Sequence, residues 1–321
     1  MFPTLQIGSF YLPMFQLCIF AGLVAYLITA IVIIEKKEKT DRKTVNHILV
    51  ASVFGIAILY VFAFLLNSLF HTIANKKLTI GGITWLGGVL FALPGMYVLL
   101  HHICVRGKGY ALRYLNLVMP ALAIAHAFGR IGCFCGGCCY GEITDSFLGV
   151  SFPPHSAAAH MQVQAGLITH GEWSLPVLPT QLIEAAFELL LFGFMLVFYK
   201  KLKNHFVETY CFGYGVFRFT LEFLRGDSRG GTGMVLSPSQ LMSILLIVGG
   251  VLLILYHKGI LFKKWKAKML QYQNETAVYG VHVSHEIKVA LKKLDDLRQS
   301  GVLTEEEYEQ AKENLQKRQP V

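Results

Sequence analysis

The sequence predicts an all-α, polytopic membrane protein, and three observations carry that expectation. Of its 321 residues, 54% are apolar and only 15% charged, and the mean hydropathy is positive; one or two soluble domains do not have this composition. Apolar runs close to the ~20 residues needed to cross a bilayer recur along the chain. Basic residues gather in the loops after alternate runs, as expected where those loops face anionic headgroups. The membrane surface then accounts for the formal net charge of +9, with no need of nucleic acid as a partner.

Seven runs are expected as transmembrane helices: Met14 to Ile34, Leu49 to Phe70, Thr84 to Ile103, Leu115 to Gly132, Leu182 to Tyr199, Tyr210 to Leu224 and Leu241 to Tyr256. The fourth carries Pro120, and the sixth and seventh are short or interrupted by glycine, which a membrane helix tolerates where neighbours satisfy the freed backbone groups. Lys36, Lys37, Lys39, Arg42 and Lys43 follow the first helix, Arg106, Lys108 and Arg113 the third, Lys200, Lys201 and Lys203 the fifth, and Lys258, Lys263, Lys264, Lys266 and Lys268 the seventh. The other side shows Lys76, Lys77, Arg225 and Arg229, and the long segment from Glu142 to Pro179 has no Lys or Arg. The N-terminus is therefore expected outside and the C-terminus in the cytoplasm. The start lacks a basic n-region and the first run a small-residue cleavage site, so no cleavable signal peptide is expected.

Beyond Trp265 the chain turns polar. It is expected to divide into a membrane domain over residues 1–262, a linker over 263–284 and a helical hairpin over 285–321. Ile287, Leu291, Leu294 and Leu297 recur at helical spacing and stop near Gly301. Thr304 and Glu307 then form a capping box that starts a second helix, expected to reach about Lys317. A hairpin this small has too little core to stand alone, so it is expected to self-associate or pack on a partner; a solvated hairpin without a role is the alternative.

Chemistry concentrates where the fourth run ends. Gly129, Arg130, Gly132, Cys133, Cys135, Gly136, Gly137, Cys138, Cys139 and Gly141 put one arginine, five glycines and four of the seven cysteines into 13 positions. An arginine at membrane depth needs a phosphate, a carboxylate or water, and dense glycine lets backbone approach backbone or ligand closely. The sixth run carries Arg218, Glu222 and Arg225 at i, i+4 and i+7, a cation, an anion and a cation on one face. Arg130 and Arg218 are candidates to hold a phosphodiester, for which the guanidinium fork is suited. Glu222 is expected to hold Arg218 or to act as a base, the alternative being a buried ion network with no chemistry. Arg225 is expected nearer the outer interface. His126 lies one turn before Arg130, placed either for proton transfer or for an interhelical hydrogen bond. Cys18, Cys104 and Cys211 read as small apolar packing residues.

Taken in order, these features resemble the prolipoprotein diacylglyceryl transferases, seven-helix enzymes of the bacterial inner (plasma) membrane. Four segments carry the resemblance: Gly129-Arg130-Ile131-Gly132 with Phe134 and Gly141; Pro179-Thr180-Gln181-Leu182-Ile183-Glu184-Ala185; Tyr214 to Asp227; and Leu236-Ser237-Pro238-Ser239-Gln240-Leu241. Together they cover about residues 5–258. The resemblance implies transfer of the diacylglyceryl group of phosphatidylglycerol, or a similar anionic phospholipid, to the lipobox cysteine of a prolipoprotein, releasing glycerol phosphate. No metal or other cofactor is implied. Arg130, Arg218, Arg225, Gly136, Gly137 and Gly141 become the expected lipid and phosphate site, and Glu222, His126 and Cys138 the expected catalytic groups. The tail resembles the short C-terminal helical-hairpin domain (SHOCT) over roughly 30 residues.

Departures from the family pattern fall at polar positions. Leu86 stands where a histidine is usual, Cys133 and Cys138 where asparagine and glutamate are usual, Phe15 where a tyrosine is expected, and Leu178 in place of a histidine before the Pro179 motif. At the outer end of the fourth helix the cysteines are open to three readings: a disulfide, a zinc site, or a thiolate beside Arg130 whose lowered pKa makes Cys138 a nucleophile. Two other classes of function compete: a non-catalytic phospholipid-binding scaffold or sensor, and a thiol-redox or metal module on the same fold. The loop from Gly149 to Gly166 is expected to cover a lateral entry for lipid and acceptor with a short amphipathic segment, while His155, His160 and His170 read as surface residues.

Overall fold

The apolar runs fold as helices because a backbone in lipid has to satisfy its own N–H and C=O groups. A computed structural model describes residues 4–7, 10–103, 107–226, 236–261, 263–299 and 303–317. Cys104, Arg106, Asp227 and Arg229, read above from the sequence, lie outside the described residues.

A short antiparallel hairpin comes first, β1 (Thr4–Ile7) and β2 (Phe10–Pro13), with Thr4 opposite Pro13 and Ile7 opposite Phe10. The all-helical expectation misses it, since alternation is hardly readable over four residues. Then follow α1 (Met14–Ile31), ending in a widened π turn over Val32–Lys37, α2 (Arg42–Asn75), α3 (Trp85–Ile103) and α4 (Gly107–Cys135). Asp41 caps α2 by accepting from the Thr44 backbone N–H at 2.7 Å. In the loop after α4 lies α5 (Ala157–Gln164), capped by Ser156. Next come α6 (Thr180–Val197), the single turn α7 (Tyr199–Leu202), α8 (Phe206–Leu221) with a 3-10 turn over Glu222–Leu224, and α9 (Pro238–His257). The tail is α10 (Lys263–Gln299) and α11 (Glu305–Lys317). Residues 263–284, expected as a linker, are helical throughout and continuous with the first arm of the hairpin.

α4 is the central helix, with α1 and α6 packed along it. Its Ala121, Ala123 and Ala127 are fully buried, and such small residues let membrane helices approach closely where lipid gives no hydrophobic drive to association. Among the described residues six helices are long and apolar enough to cross a membrane: Met14–Lys37, Arg42–Ile73, Trp85–Ile103, Tyr110–Cys135, Thr180–Val197 and Pro238–His257. By length and composition the count is thus six, where seven were expected. The expected sixth span, Tyr210 to Leu224, falls on α8, whose 16 α-helical residues tighten into the 3-10 turn.

Polar contacts close the two ends of the bundle. At one end Glu38, just past the π turn, accepts from Arg113 Nη2 at 2.7 Å, Lys203 Nζ at 2.8 Å and the Tyr199 hydroxyl at 2.9 Å. At the other, the backbone N–H of Gly141 donates to Leu178 O at 2.8 Å and that of Glu142 to Leu224 O at 3.0 Å.

Candidate active site

Near that second end, buried charges from α4, α6 and α8 meet. His126, Arg130, Glu184, Glu188 and Arg218 are each no more than 6% exposed. Ionised groups this deep persist only when paired and hydrogen-bonded, and here Glu184 is the hub. Its Oε1 lies 2.9 Å from Arg130 Nη2 and 3.9 Å from Arg218 Nε, and it accepts from the Tyr214 hydroxyl at 2.7 Å.

Spacing on α4 brings His126 and Arg130 onto one face, as expected: Arg130 Nε donates to His126 Nε2 at 3.3 Å. With Nε2 accepting, the ring proton belongs on Nδ1, 2.7 Å from Glu188 Oε1. Trp85 stacks on the His126 ring with centroids 4.4 Å apart, and Tyr214 meets it edge-on at 5.0 Å. His126 is therefore fixed on every side. Leu86 is buried one residue after the stacking Trp85.

α8 delivers the second arginine. Arg218 Nη2 lies 2.6 Å from Glu222 Oε2 and donates to Ser239 Oγ at 3.0 Å. Glu222 in turn accepts from Ser237 Oγ at 2.7 Å, and Ser237 is the N-cap of α9, completing a capping box with Gln240. The start of α9 thereby orients the carboxylate that orients Arg218. Arg218 Nη1 is buried and has no hydrogen-bond partner among the described residues. Glu184 Oε2, Glu188 Oε2 and Gln181 Oε1 are likewise buried without partners there, so this cluster retains both donor and acceptor capacity. Arg225 is half-buried and pairs through its backbone with Gly141.

The cysteine turn lies directly beyond α4. Cys138 N–H donates to Cys133 O at 3.1 Å, and α6 fastens the turn from the other side: Gln181 Nε2 donates to Cys138 O at 2.7 Å and Thr180 Oγ1 to Cys139 O at 2.8 Å. The Gly136 and Gly137 turn was expected to let lipid or acceptor approach closely, and Gly141 to belong to the lipid and phosphate site; the chain itself packs closely beside Gly137 and Gly141. A β-carbon at Gly137, where φ is +66°, would lie 2.7 Å from Ser156 Cβ, and one at Gly141 2.7 Å from both Leu178 Cβ and Leu224 O. Gly136 has looser surroundings, with its nearest contact at 3.6 Å.

None of the six described cysteines is in a disulfide. The sulfurs of Cys133, Cys138 and Cys139 lie within 4.8 Å of one another. Hydrogen bonding with Cys133 and Cys139, together with burial, pushes the Cys138 thiol well up. An attacking thiolate at neutral pH is favoured by the opposite shift. His155, His160 and His170 join no potential metal-ligand group among the described residues; a second such group is instead His205, Glu208 and His257, toward the Glu38 end. α5 does not simply float on the membrane surface: Ala158 and Ala159 are buried, and Ala158 N–H donates to Gly137 O at 3.0 Å.

Sequence reasoning missed Glu184, Glu188, Tyr210, Tyr214 and Ser239 as site residues. The signal for the first two was present, since carboxylates at i and i+4 inside an apolar run are a functional indication in themselves. Tyr210 and Tyr214 have none, because a tyrosine in a membrane helix reads first as packing.

The profile of the prolipoprotein diacylglyceryl transferase family matches residues 3–256. The chain belongs to that family. It is 40% identical over 152 residues to phosphatidylglycerol–prolipoprotein diacylglyceryl transferase 2 of Clostridium perfringens, an alignment covering 46% of this chain and 54% of that one. It is 30% identical over 234 residues to the transferase of Clostridium tetani, covering 70% and 86%, and 25% identical over 267 residues to that of Streptococcus uberis, covering 79% and 94%. The profile of the short C-terminal domain matches residues 290–315. The chain is accordingly a multi-pass membrane transferase of lipoprotein biosynthesis.

Proposed function

We propose that phosphatidylglycerol binds with its phosphodiester on Arg130 and Arg218, and that its diacylglyceryl group passes there to the lipobox cysteine of a prolipoprotein. The observation that carries this assignment is Arg218 Nη1, a buried guanidinium nitrogen without a partner among the described residues. An anionic oxygen there would complete its hydrogen bonding, and the price of burying that nitrogen unpaired is otherwise hard to justify. The acceptor sulfur attacks the glycerol carbon; the S–C bond forms, the C–O bond to phosphorus breaks, and the electron pair leaves on a phosphate oxygen. The thiol proton goes to solvent. Arg130 and Arg218 stabilise the charge that develops on the departing glycerol phosphate. Glu222, held by Ser237, aims Arg218, while His126, held by Glu188 and Trp85, aims Arg130. Arg225 lies at the rim of the site. An apolar cavity of about 340 Å³, lined by Leu90, Leu93, Leu246, Leu253 and Trp265 among others, suits acyl chains.

The orientation we propose is seven crossings in the bacterial inner membrane, N-terminus outside and C-terminus cytoplasmic. α8 supports the seventh crossing. Its first turn meets the first half of α4, where Val207 N–H donates to Asn116 Oδ1 at 2.9 Å, and beyond its far end Arg225 pairs with Gly141. With the 3-10 turn added its length is about 30 Å, enough to traverse the hydrocarbon core. The C-terminal hairpin is the surface for self-association or a cytoplasmic partner.

The test is transfer of labelled diacylglycerol from phosphatidylglycerol to a lipobox peptide by the purified full-length chain. Arg130→Ala and Arg218→Ala are each expected to lower the rate about 10²- to 10³-fold, as loss of one preorganised charge-stabilising donor does. Undiminished transfer by both variants overturns the site.

A further inference from the structure

Leu86, Cys133 and Cys138 stand where the family resemblance implies polar groups that could prepare the acceptor thiol. The structure offers another way to prepare that thiol. We infer that Cys133, Cys138 and Cys139 together bind one divalent d10 cation of the zinc class, and that its remaining coordination position takes the acceptor cysteine. This inference rests on the transferase reading above and deepens it.

The three sulfurs converge within 4.8 Å, and their convergence is built into the backbone. Cys133 lies in the last turn of α4, the chain reverses through Gly137 at φ +66°, and Cys139 is held at φ +63°. A residue with a β-carbon adopts that left-handed conformation at a cost, which persists only where the surroundings enforce it. Here the enforcing bonds are those from Thr180 to Cys139 O and from Gln181 to Cys138 O. α6 thus fixes the sulfur positions from one end while placing Glu184 against Arg130 from the other. Ligand type selects the metal: thiolates bind soft or borderline cations such as zinc in preference to magnesium or calcium.

Ligand number indicates the purpose. Four protein ligands close a structural zinc site, whereas three leave a position for water or substrate. Cys135 and Cys18 do not join the group among the described residues. Three thiolates on a divalent cation carry one net negative charge, and Arg130 stands three residues before Cys133, on the neighbouring helical position of α4. The cation therefore sits beside the guanidinium proposed to hold the phosphate, where acceptor and lipid have to meet.

The step balances without oxidant or reductant. On binding the cation the acceptor thiol gives its proton to water, since a coordinated thiol is deprotonated. The bound thiolate sulfur attacks the glycerol carbon; the S–C bond forms as the C–O bond breaks, and glycerol phosphate leaves with the electron pair. The product thioether is a weaker ligand than a thiolate and departs. The cation keeps its oxidation state throughout.

The experiment uses the full-length chain in detergent, stripped with a chelator and titrated with cadmium, whose bonds to thiolates give an ultraviolet charge-transfer band. One cadmium per chain is expected, displaced by excess zinc. Cys133→Ser, Cys138→Ser and Cys139→Ser each shrink the band and weaken binding, whereas Cys211→Ala, a buried thiol of α8 outside the cluster, leaves it intact. Unchanged circular dichroism and elution volume separate ligand loss from misfolding. Stripped wild type loses diacylglyceryl transfer and regains it with zinc. Transfer that survives stripping, or that Cys138→Ser leaves undiminished, overturns the inference and leaves the transferase reading standing. Absence of the band, with two thiols too few by thiol titration, identifies a disulfide and overturns it also. One bound cadmium with no transfer from loaded or stripped wild type supports the metal site and overturns the transferase reading instead.

Discussion

Glu184 carries more of the site than either arginine, because one of its oxygens faces Arg130, Arg218 and Tyr214 together. Removing one partner from a buried pair leaves the other charge uncompensated, so Glu184→Ala is expected to destabilise the folded chain by about 3–5 kcal/mol. Thermal unfolding in detergent measures this, and an unchanged melting temperature would mean that water already reaches the cluster. Gly141→Ala tests a different contact. Its β-carbon would lie 2.7 Å from a backbone oxygen that cannot rotate away, and overpacking of this kind costs about 1–3 kcal/mol. The same melting experiment is expected to show that loss without any change in the charges of the site. At this scale the sequence yields the pairing of His126 with Arg130 and of Arg218 with Glu222, since both follow from helical spacing alone. It does not yield Glu184 as the hub, because which helix faces α4 at that depth is a tertiary fact.

α9 shows how an element end can serve a site. Ser237 caps the helix by accepting from Gln240 N–H at 3.2 Å and with its own hydroxyl donates to Glu222. Ser237→Ala is expected to cost about 1 kcal/mol as a lost N-cap, and also to remove one hydrogen bond that holds Glu222 and so loosen Arg218. Steady-state kinetics separate the two effects: a weakened cap alone lowers the melting temperature, whereas a misaimed Arg218 lowers kcat/KM for the phospholipid. A rate equal to wild type in a less stable variant would reduce Ser237 to a cap. The motif from Leu236 to Leu241 was legible as the opening of this helix, with Pro238 at its first position. The tail was legible in part. The capping box at Thr304 forms, with Thr304 N–H donating to Glu307 Oε2 at 3.0 Å and Glu307 N–H to Thr304 Oγ1 at 3.3 Å. The long helix through residues 263–284 was not, because that stretch is polar and a polar face gives little periodic signal.

Across the whole molecule, three of the four basic loops read from the sequence, those after the first, third and fifth expected helices, meet at Glu38. This carboxylate joins the end of α1 to the start of α4 and to α7, and its side chain is only 5% exposed. Composition showed that the basic residues gather in alternate loops; it gave no hint that one acidic residue would gather three of those loops, since Glu38 lies unmarked within a lysine-rich run. Burial pushes the Glu38 carboxyl up, but hydrogen bonds from Lys203, Arg113 and Tyr199 outweigh it and hold the group below the usual carboxylate range. The sign follows from linkage. A carboxyl whose folded value is depressed contributes its stability in full above the ordinary carboxylate range and loses it as pH falls through that range to the lower folded value. Wild type is therefore expected to exceed Glu38→Gln in melting temperature by a constant margin near neutral pH, and the margin should close in acid, below about pH 4. A difference that persists undiminished in acid would show that Glu38 acts by shape and hydrogen bonding, with its charge contributing nothing to the junction of these three elements.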